Sequence, residues 1–173
     1  PQYKVLPYLA ETLERGPKKM VLRDKIFNPF QKPDMGGKPY CVIVCDNATL
    51  ERMIGLEYYQ NATVSIVVDH HASNEGYGDV NWTEVSEACA ENVYHMLDPQ
   101  CLRKAAEAEE HPTAADYIYL GIAHDTGGMA RAKKSTLLAL VDLMSMGVDH
   151  GEIMKTMHSD TLDTLNKRAD IIR

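Results

Sequence analysis

The sequence predicts an α/β fold: a parallel sheet flanked by helices, Rossmann-like in type, with a helical C-terminal half. Three observations carry that expectation. Two short apolar runs, CVIVC at 41–45 and TVSIVV at 63–68, have the composition of strands covered on both faces of a parallel sheet. The segment between them, ATLERMIG, reads as a short helix, so the stretch forms a β-α-β unit. From residue 84 onward, segments of helical periodicity succeed one another.

The elements follow in order. Residues 3–15, YKVLPYLAETLER, place Val5, Leu6, Leu9 and Leu13 at helical spacing. Pro7 weakens the first turn or delays the helix, and Gly16-Pro17 ends it. KKMVLRD reads as a short strand. Residues 28–39 hold Pro29, Pro33, Gly36, Gly37 and Pro39 and are expected to be a loop. After the β-α-β unit, residues 73–83 also read as loop. Helices are then expected over EVSEACAENVYHML and over DPQCLRKAAEAEE, with Asp98 as N-cap and Pro99 in first position. A further helix, TAADYIYLGIAHD, is capped by Thr113, and STLLALVDLMSMG ends at Gly147. VDHGEIMKTMHS and TLDTLNKRADIIR follow. The run AEAEEH reads as a solvated helix end. No internal repeat or low-complexity segment is visible.

A length of 173 residues, 45% of them apolar, suits one domain with an ordinary core. The net charge of −7 argues against a broad basic surface for long nucleic acids, though a local cation can still hold a small phosphate. Cys41, Cys45, Cys89 and Cys101 form no CxxC pair, so neither a zinc ribbon nor a disulfide framework is expected. They read as free, mostly buried thiols in a reducing, cytoplasmic compartment. No apolar run approaches the ~20 residues of a membrane span, and no secretory signal is visible. The first residue is Pro, so processing or truncation at the start remains open.

The chemistry concentrates in three places. VVDHHASN, residues 67–74, ends an apolar run in an acid and two imidazoles. Strand ends commonly turn polar, and a single His there is ordinarily a cap. Three adjacent titratable groups admit a metal or catalytic site equally well, because burying them unpaired costs several kcal/mol. Asp46 likewise follows the first apolar run. In open α/β sheets ligands bind beyond the carboxyl ends of the strands. Neighbouring strands would therefore bring Asp46, Asp69, His70 and His71 into one crevice. The third place is YLGIAHDTGGM, where a helix runs into Asp125 and two glycines; a glycine C-cap is the ordinary reading of that pattern.

Taken together, VIVCDNATLERMIG, VVDHHASNEGYGDVNW and YIYLGIAHDTGGM resemble, in order, the second, third and fourth motifs of the DHH phosphoesterase family. VSEACAENVYHML is similar to the helix that follows the DHH motif. The resemblance spans about residues 3–158, and its nearest subgroup is the nanoRNase and nucleotide-phosphatase-like members. It implies metal-dependent hydrolysis of phosphoesters in very short oligonucleotides or small phosphorylated nucleotides, by a two-metal mechanism. The implied ions are two Mn²⁺, with Mg²⁺ or Co²⁺ possible, since carboxylates and imidazoles suit Mn²⁺. By the same resemblance Asp46 bridges both metals, His70 and Asp125 ligate, and His71 faces the phosphate. Asp69 orients a histidine. Asn74 and Arg52 support the site or touch substrate; for Arg52, a helix-surface ion pair is the competing reading. No long nucleic-acid surface and no membrane partner are implied.

The sequence departs from the family pattern in places. The first motif, of the form H-x-x-x-D-x-D, is not found, and no His occurs in residues 1–45. Residues 1–158 are thus expected to form a catalytic domain incomplete at its N-terminus, with 159–173 beginning a linker to a C-terminal substrate-binding domain. These 173 residues alone are accordingly expected to hydrolyse phosphoesters poorly. His124 stands where Thr is usual and Met129 where an aromatic is common; His124 reads as the last turn of a helix. A degenerate, non-catalytic nucleotide-binding or regulatory module of the same fold is the alternative function. A response-regulator-like phospho-acceptor is disfavoured, because Mg²⁺ sites of that kind use carboxylates and not imidazoles.

Overall fold

The computed structural model describes residues 4–8, 32–108 and 112–158. Its sheet is parallel, three-stranded and ordered β1 (Cys41–Cys45), β2 (Val64–Val68), β3 (Val80–Trp82). Cys45 lies opposite Val68, which lies opposite Trp82, so the three strands end at one level. The α/β expectation is met. β3 is a departure, because residues 73–83 read as loop. VNW is three residues long and exposed throughout. Its strand character comes from pairing with β2 and not from burial, so no hydrophobic pattern announces it.

Between β1 and β2 the helix expected over ATLERMIG, residues 48–55, is reduced to a single turn, and the α-helix lies after it. Leu50–Arg52 forms one 3-10 turn, and α1 (Leu56–Gln60) follows. Met53 is extended, with ψ 120°, and Gly55 is left-handed, with φ 81°; together they separate the turn from α1. A side chain at Gly55 would meet the Tyr8 ring at 3.2 Å. Residues 4–8 have no regular structure. The rest of the helix expected over 3–15, the strand KKMVLRD and the segment TLDTLNKRADIIR lie outside the described residues.

The C-terminal half is helical: α2 (Cys89–Met96), α3 (Pro99–Ala108), α4 (Ala114–Asp125), α5 (Lys134–Ser145) and α6 (His150–His158). α2 starts at Cys89 and not at Glu84; before it, the Glu84 and Ser86 carbonyls are taken by the Asn92 and His70 side chains. The caps behave as the sequence suggests. Gln100 N–H donates to Asp98 Oδ1 at 2.8 Å, and Thr113 and Asp116 form a reciprocal capping box. Gly147, with φ 102°, ends α5.

α4 is the hub of the core. Tyr119, Ile122 and Ala123 are buried and pack with Ala88, Leu102, Leu140, Leu143 and Ile153. Gly121 permits a close crossing of α4 over α2, since a Cβ there would stand 2.7 Å from Ala90 Cβ. Glu91, a buried carboxylate on α2, accepts from Thr136 Oγ1 at 2.9 Å and so joins α2 to α5. The thiols differ from expectation. Only Cys89 is buried; Cys41, Cys45 and Cys101 are exposed. β1 is an edge strand of the described sheet, with Ile43 62% exposed, so the apolar run did not guarantee burial.

Candidate metal centre

The parallel register brings the ends of β1 and β2 together. Asp46 N–H donates to Val68 O, and Asp69 N–H donates to Trp82 O, both at 3.0 Å. The first residue past each strand is therefore still held by its neighbour. Asp46 adopts φ 59°, a left-handed conformation that Asp tolerates better than most residues. Neither the strain nor its position was visible in the sequence.

From this turn the Asp46 carboxylate faces both histidines. Oδ1 lies 3.4 Å from His70 Nε2 and 3.8 Å from His71 Nδ1. One ligand atom from each of the three residues falls within 4.8 Å of the other two, a spacing suited to a shared cation. The two rings meet edge to face at 4.5 Å.

The hydrogen bonds select the tautomers. His70 Nδ1 lies 3.2 Å from the Ser86 carbonyl, which can only accept. Nδ1 therefore carries the proton, and in the neutral ring the Nε2 lone pair faces Asp46. His71 Nδ1 lies 2.8 Å from Asp69 Oδ1, which in the same way leaves its Nε2 as the ring's open position. Asp69 is fully buried, and its second oxygen accepts from Asn74 Nδ2 at 2.8 Å. Burial pushes the Asp69 carboxyl up, but bonds from the Asn74 amide, the His71 ring and the His70 N–H outweigh it. The net effect holds Asp69 below the ordinary carboxylate range.

Asp125 is the last residue of α4. It is not one of the three tightly clustered residues, but its charge is felt there. Burial first, and then the Asp46 carboxylate, push the Asp125 carboxyl up, while His70 and His124 draw it down. His124, in the last turn of α4, places Nδ1 3.9 Å from Asp125 Oδ1. The segment after Asp125 is bent through three successive left-handed residues, Gly127 (φ 62°), Gly128 (φ 65°) and Met129 (φ 73°). Arg131 donates from its guanidinium to the Asp125 carbonyl across this bend.

Asn74 spends its side chain on structure. Nδ2 reaches Asp69 and the Asn47 carbonyl, and Oδ1 accepts from Gly76 N–H at 2.8 Å. Arg52 lies exposed on the 3-10 turn and makes no ion pair among the described residues, so the surface-pair reading finds no partner there. Sequence reasoning overlooked three supports. Tyr77 hydroxyl donates to the Asn47 carbonyl at 2.7 Å, beside Asp46. Asn92, buried in α2, donates to Asp69 O at 2.8 Å and Glu84 O at 2.6 Å. The third is the Ser86 carbonyl that receives His70. An Asn directly after a strand-end Asp is a turn signal that would have marked Asn47; nothing in the helical pattern marks Asn92.

No family model matches the chain. It is similar to the bifunctional oligoribonuclease and PAP phosphatase NrnA of Bacillus subtilis (strain 168), with 28% identity over 140 residues, covering 76% of this chain and 42% of that protein. A Streptococcus mutans protein described as a probable bifunctional oligoribonuclease and PAP phosphatase NrnA is 28% identical over 135 residues, covering 75% of this chain and 41% of its own. The chain thus spans about two fifths of the length of the curated relatives it matches. Among solved structures, an exopolyphosphatase-related protein from Bacteroides fragilis superposes with a TM-score of 0.61 at 19% identity, covering 73% of this chain and 38% of that one. That likeness supports the α/β fold. The two curated relatives bear out the resemblance to DHH phosphoesterases carried by the three motifs.

Proposed function

We propose that these residues form the catalytic core of a metal-dependent phosphoesterase acting on very short oligoribonucleotides or on small phosphorylated nucleotides such as 3′-phosphoadenosine 5′-phosphate. The observation that carries it is the Asp46–His70–His71 cluster at the carboxyl ends of adjacent parallel strands. The names of the curated relatives point to the substrate class.

The donor set fits a divalent cation such as Mn²⁺. It offers hard carboxylate oxygens and an imidazole Nε2 whose other nitrogen is already committed to a carbonyl. Asp46, His70 and Asp125 would hold two such ions. When bound, such ions supply Lewis-acid stabilisation of charge on the phosphate. His71, its Nδ1–H held by Asp69, would donate to a phosphate oxygen only from the doubly protonated ring, through Nε2–H, and would stabilise the charge that develops there in that form. Asn74 positions Asp69 and hence His71. Arg52, exposed on its turn, is available to a second phosphate or to the nucleotide. Turnover by residues 1–173 alone would be slow. The net charge of −7 matches small substrates better than long polymers.

The test is an assay of the full-length gene product that carries this sequence. Mn²⁺-dependent phosphate release from 3′-phosphoadenosine 5′-phosphate, and mononucleotide release from di- and trinucleotides, are expected. Nucleotide binding without hydrolysis under any divalent metal would instead establish the non-catalytic module.

A further inference from the structure

We propose that Cys45 and Cys89 are an oxidisable dithiol, which closes to an intramolecular disulfide when a hydroperoxide reaches Cys45. The two residues are far apart in sequence but meet at one carbonyl. Cys45 is the last residue of β1 and lies in register with Val68. Cys89 opens α2 and donates its thiol to Val68 O at 3.2 Å. That same carbonyl accepts from the Asp46 N–H, the next residue after Cys45, at 3.0 Å, and the two thiols interact electrostatically with each other. Their accessibility is unequal: Cys45 is exposed and Cys89 buried. One thiol is therefore reachable by a small oxidant, and the second is held beside it out of solvent. Cys41 and Cys101 are exposed as well, but their thiols donate to the Val42 carbonyl and to Asp98 Oδ2 and not to another thiol.

The chemistry balances in two steps. The Cys45 sulfur attacks the peroxide O–O bond, forming a sulfenic acid and releasing water, or an alcohol from an organic hydroperoxide. The Cys89 sulfur then attacks the sulfenic sulfur. The S–S bond forms, and hydroxide leaves with the Cys89 proton as a second water. Two thiols are oxidised and one peroxide is reduced.

The position gives the bond a consequence. Cys45 immediately precedes Asp46, and Cys89 lies three residues beyond Ser86, whose carbonyl receives His70. The disulfide would join the two backbone segments that set the 3.4 Å Asp46–His70 separation.

The experiment treats the reduced wild-type chain with a small excess of hydrogen peroxide, alkylates remaining thiols and maps peptides by mass spectrometry. The expected result is a Cys45–Cys89 linked peptide, lighter than the sum of its parts by two hydrogen atoms, that dithiothreitol reverses. Cys101 should stay alkylated. In Cys89→Ser, Cys45 should stop at a sulfenic acid that dimedone traps. Full alkylation of Cys45 after treatment would overturn the proposal. So would its conversion in the wild type to sulfinic acid with Cys89 still free, or its linkage to Cys41. Because the principal readout uses the wild-type chain, it does not depend on whether a variant folds.

Discussion

Asn92→Ala removes one buried amide and should cost more than its size suggests. The Asn92 side chain is 2% exposed and holds two carbonyls from different segments, Asp69 O at 2.8 Å and Glu84 O at 2.6 Å. Alanine leaves both acceptors facing a small void. A buried polar group left without its partner costs about 1–3 kcal/mol, so the pair gives about 2–6 kcal/mol. Water entering the space would recover part of this, which places the expected loss near 3 kcal/mol. Urea unfolding followed by far-ultraviolet circular dichroism reads it, as a lower midpoint at unchanged slope. Asn92→Leu keeps most of the volume and removes the donors, and should be equally damaging if hydrogen bonding is the cause. A loss below about 1 kcal/mol in Asn92→Ala, at unchanged slope, would refute the reasoning, since it is no more than one ordinary hydrogen bond.

Gly121→Ala forces a Cβ to within 2.7 Å of Ala90 Cβ; overpacking of about 1–3 kcal/mol should exceed the ~1 kcal/mol gain in helix propensity. In a double-mutant cycle with Ala90→Gly, the pair should show favourable coupling of about 1 kcal/mol or more, and additivity would contradict the contact. Asp79 accepts from the Ser65 N–H and hydroxyl, both at 2.8 Å, and its carboxyl is thereby held below the ordinary range. Its folded pKa is depressed, so its contribution is complete above the unfolded value of about 3.9 and fades as pH falls through the folded one. Asp79→Ala should therefore flatten the acid limb of stability against pH, and an unchanged limb would remove Asp79 from the account.

The parts that the sequence exposed share a physical origin. β1, β2 and α4 are continuous apolar segments with clear punctuation, so composition and caps revealed them. The site was legible because Asp46 and Asp69-His70-His71 each break an apolar strand abruptly. β3 was not, because its three exposed residues belong to the sheet only through backbone pairing. The reduction of ATLERMIG to one turn goes with an extended Met53 and a left-handed Gly55, where an added side chain would meet Tyr8, a contact that no local pattern encodes. The same holds for Asn92 and Tyr77, which reach the site from 23 and 30 residues away along the chain. Thiol burial was misjudged because apolar composition does not tell a central strand from an edge.

The central claim is that Asp46 and His70 hold a divalent cation while the adjacent His71 acts on the phosphate. Titrating Mn²⁺ into the wild-type chain, His70→Ala and His71→Ala, with free ion read by electron paramagnetic resonance, tests it directly. His70 Nε2 faces Asp46, while His71 Nδ1 is taken by Asp69. His70→Ala should therefore weaken Mn²⁺ binding at least about tenfold, since loss even of an outer-shell partner costs about 10–100-fold. His71→Ala should bind Mn²⁺ within about twofold of wild type, and in the full-length protein its turnover should fall by about 10²–10³. Loss of Mn²⁺ in His71→Ala with retention in His70→Ala would reverse the assignment, and wild-type binding in both variants would contradict the claim.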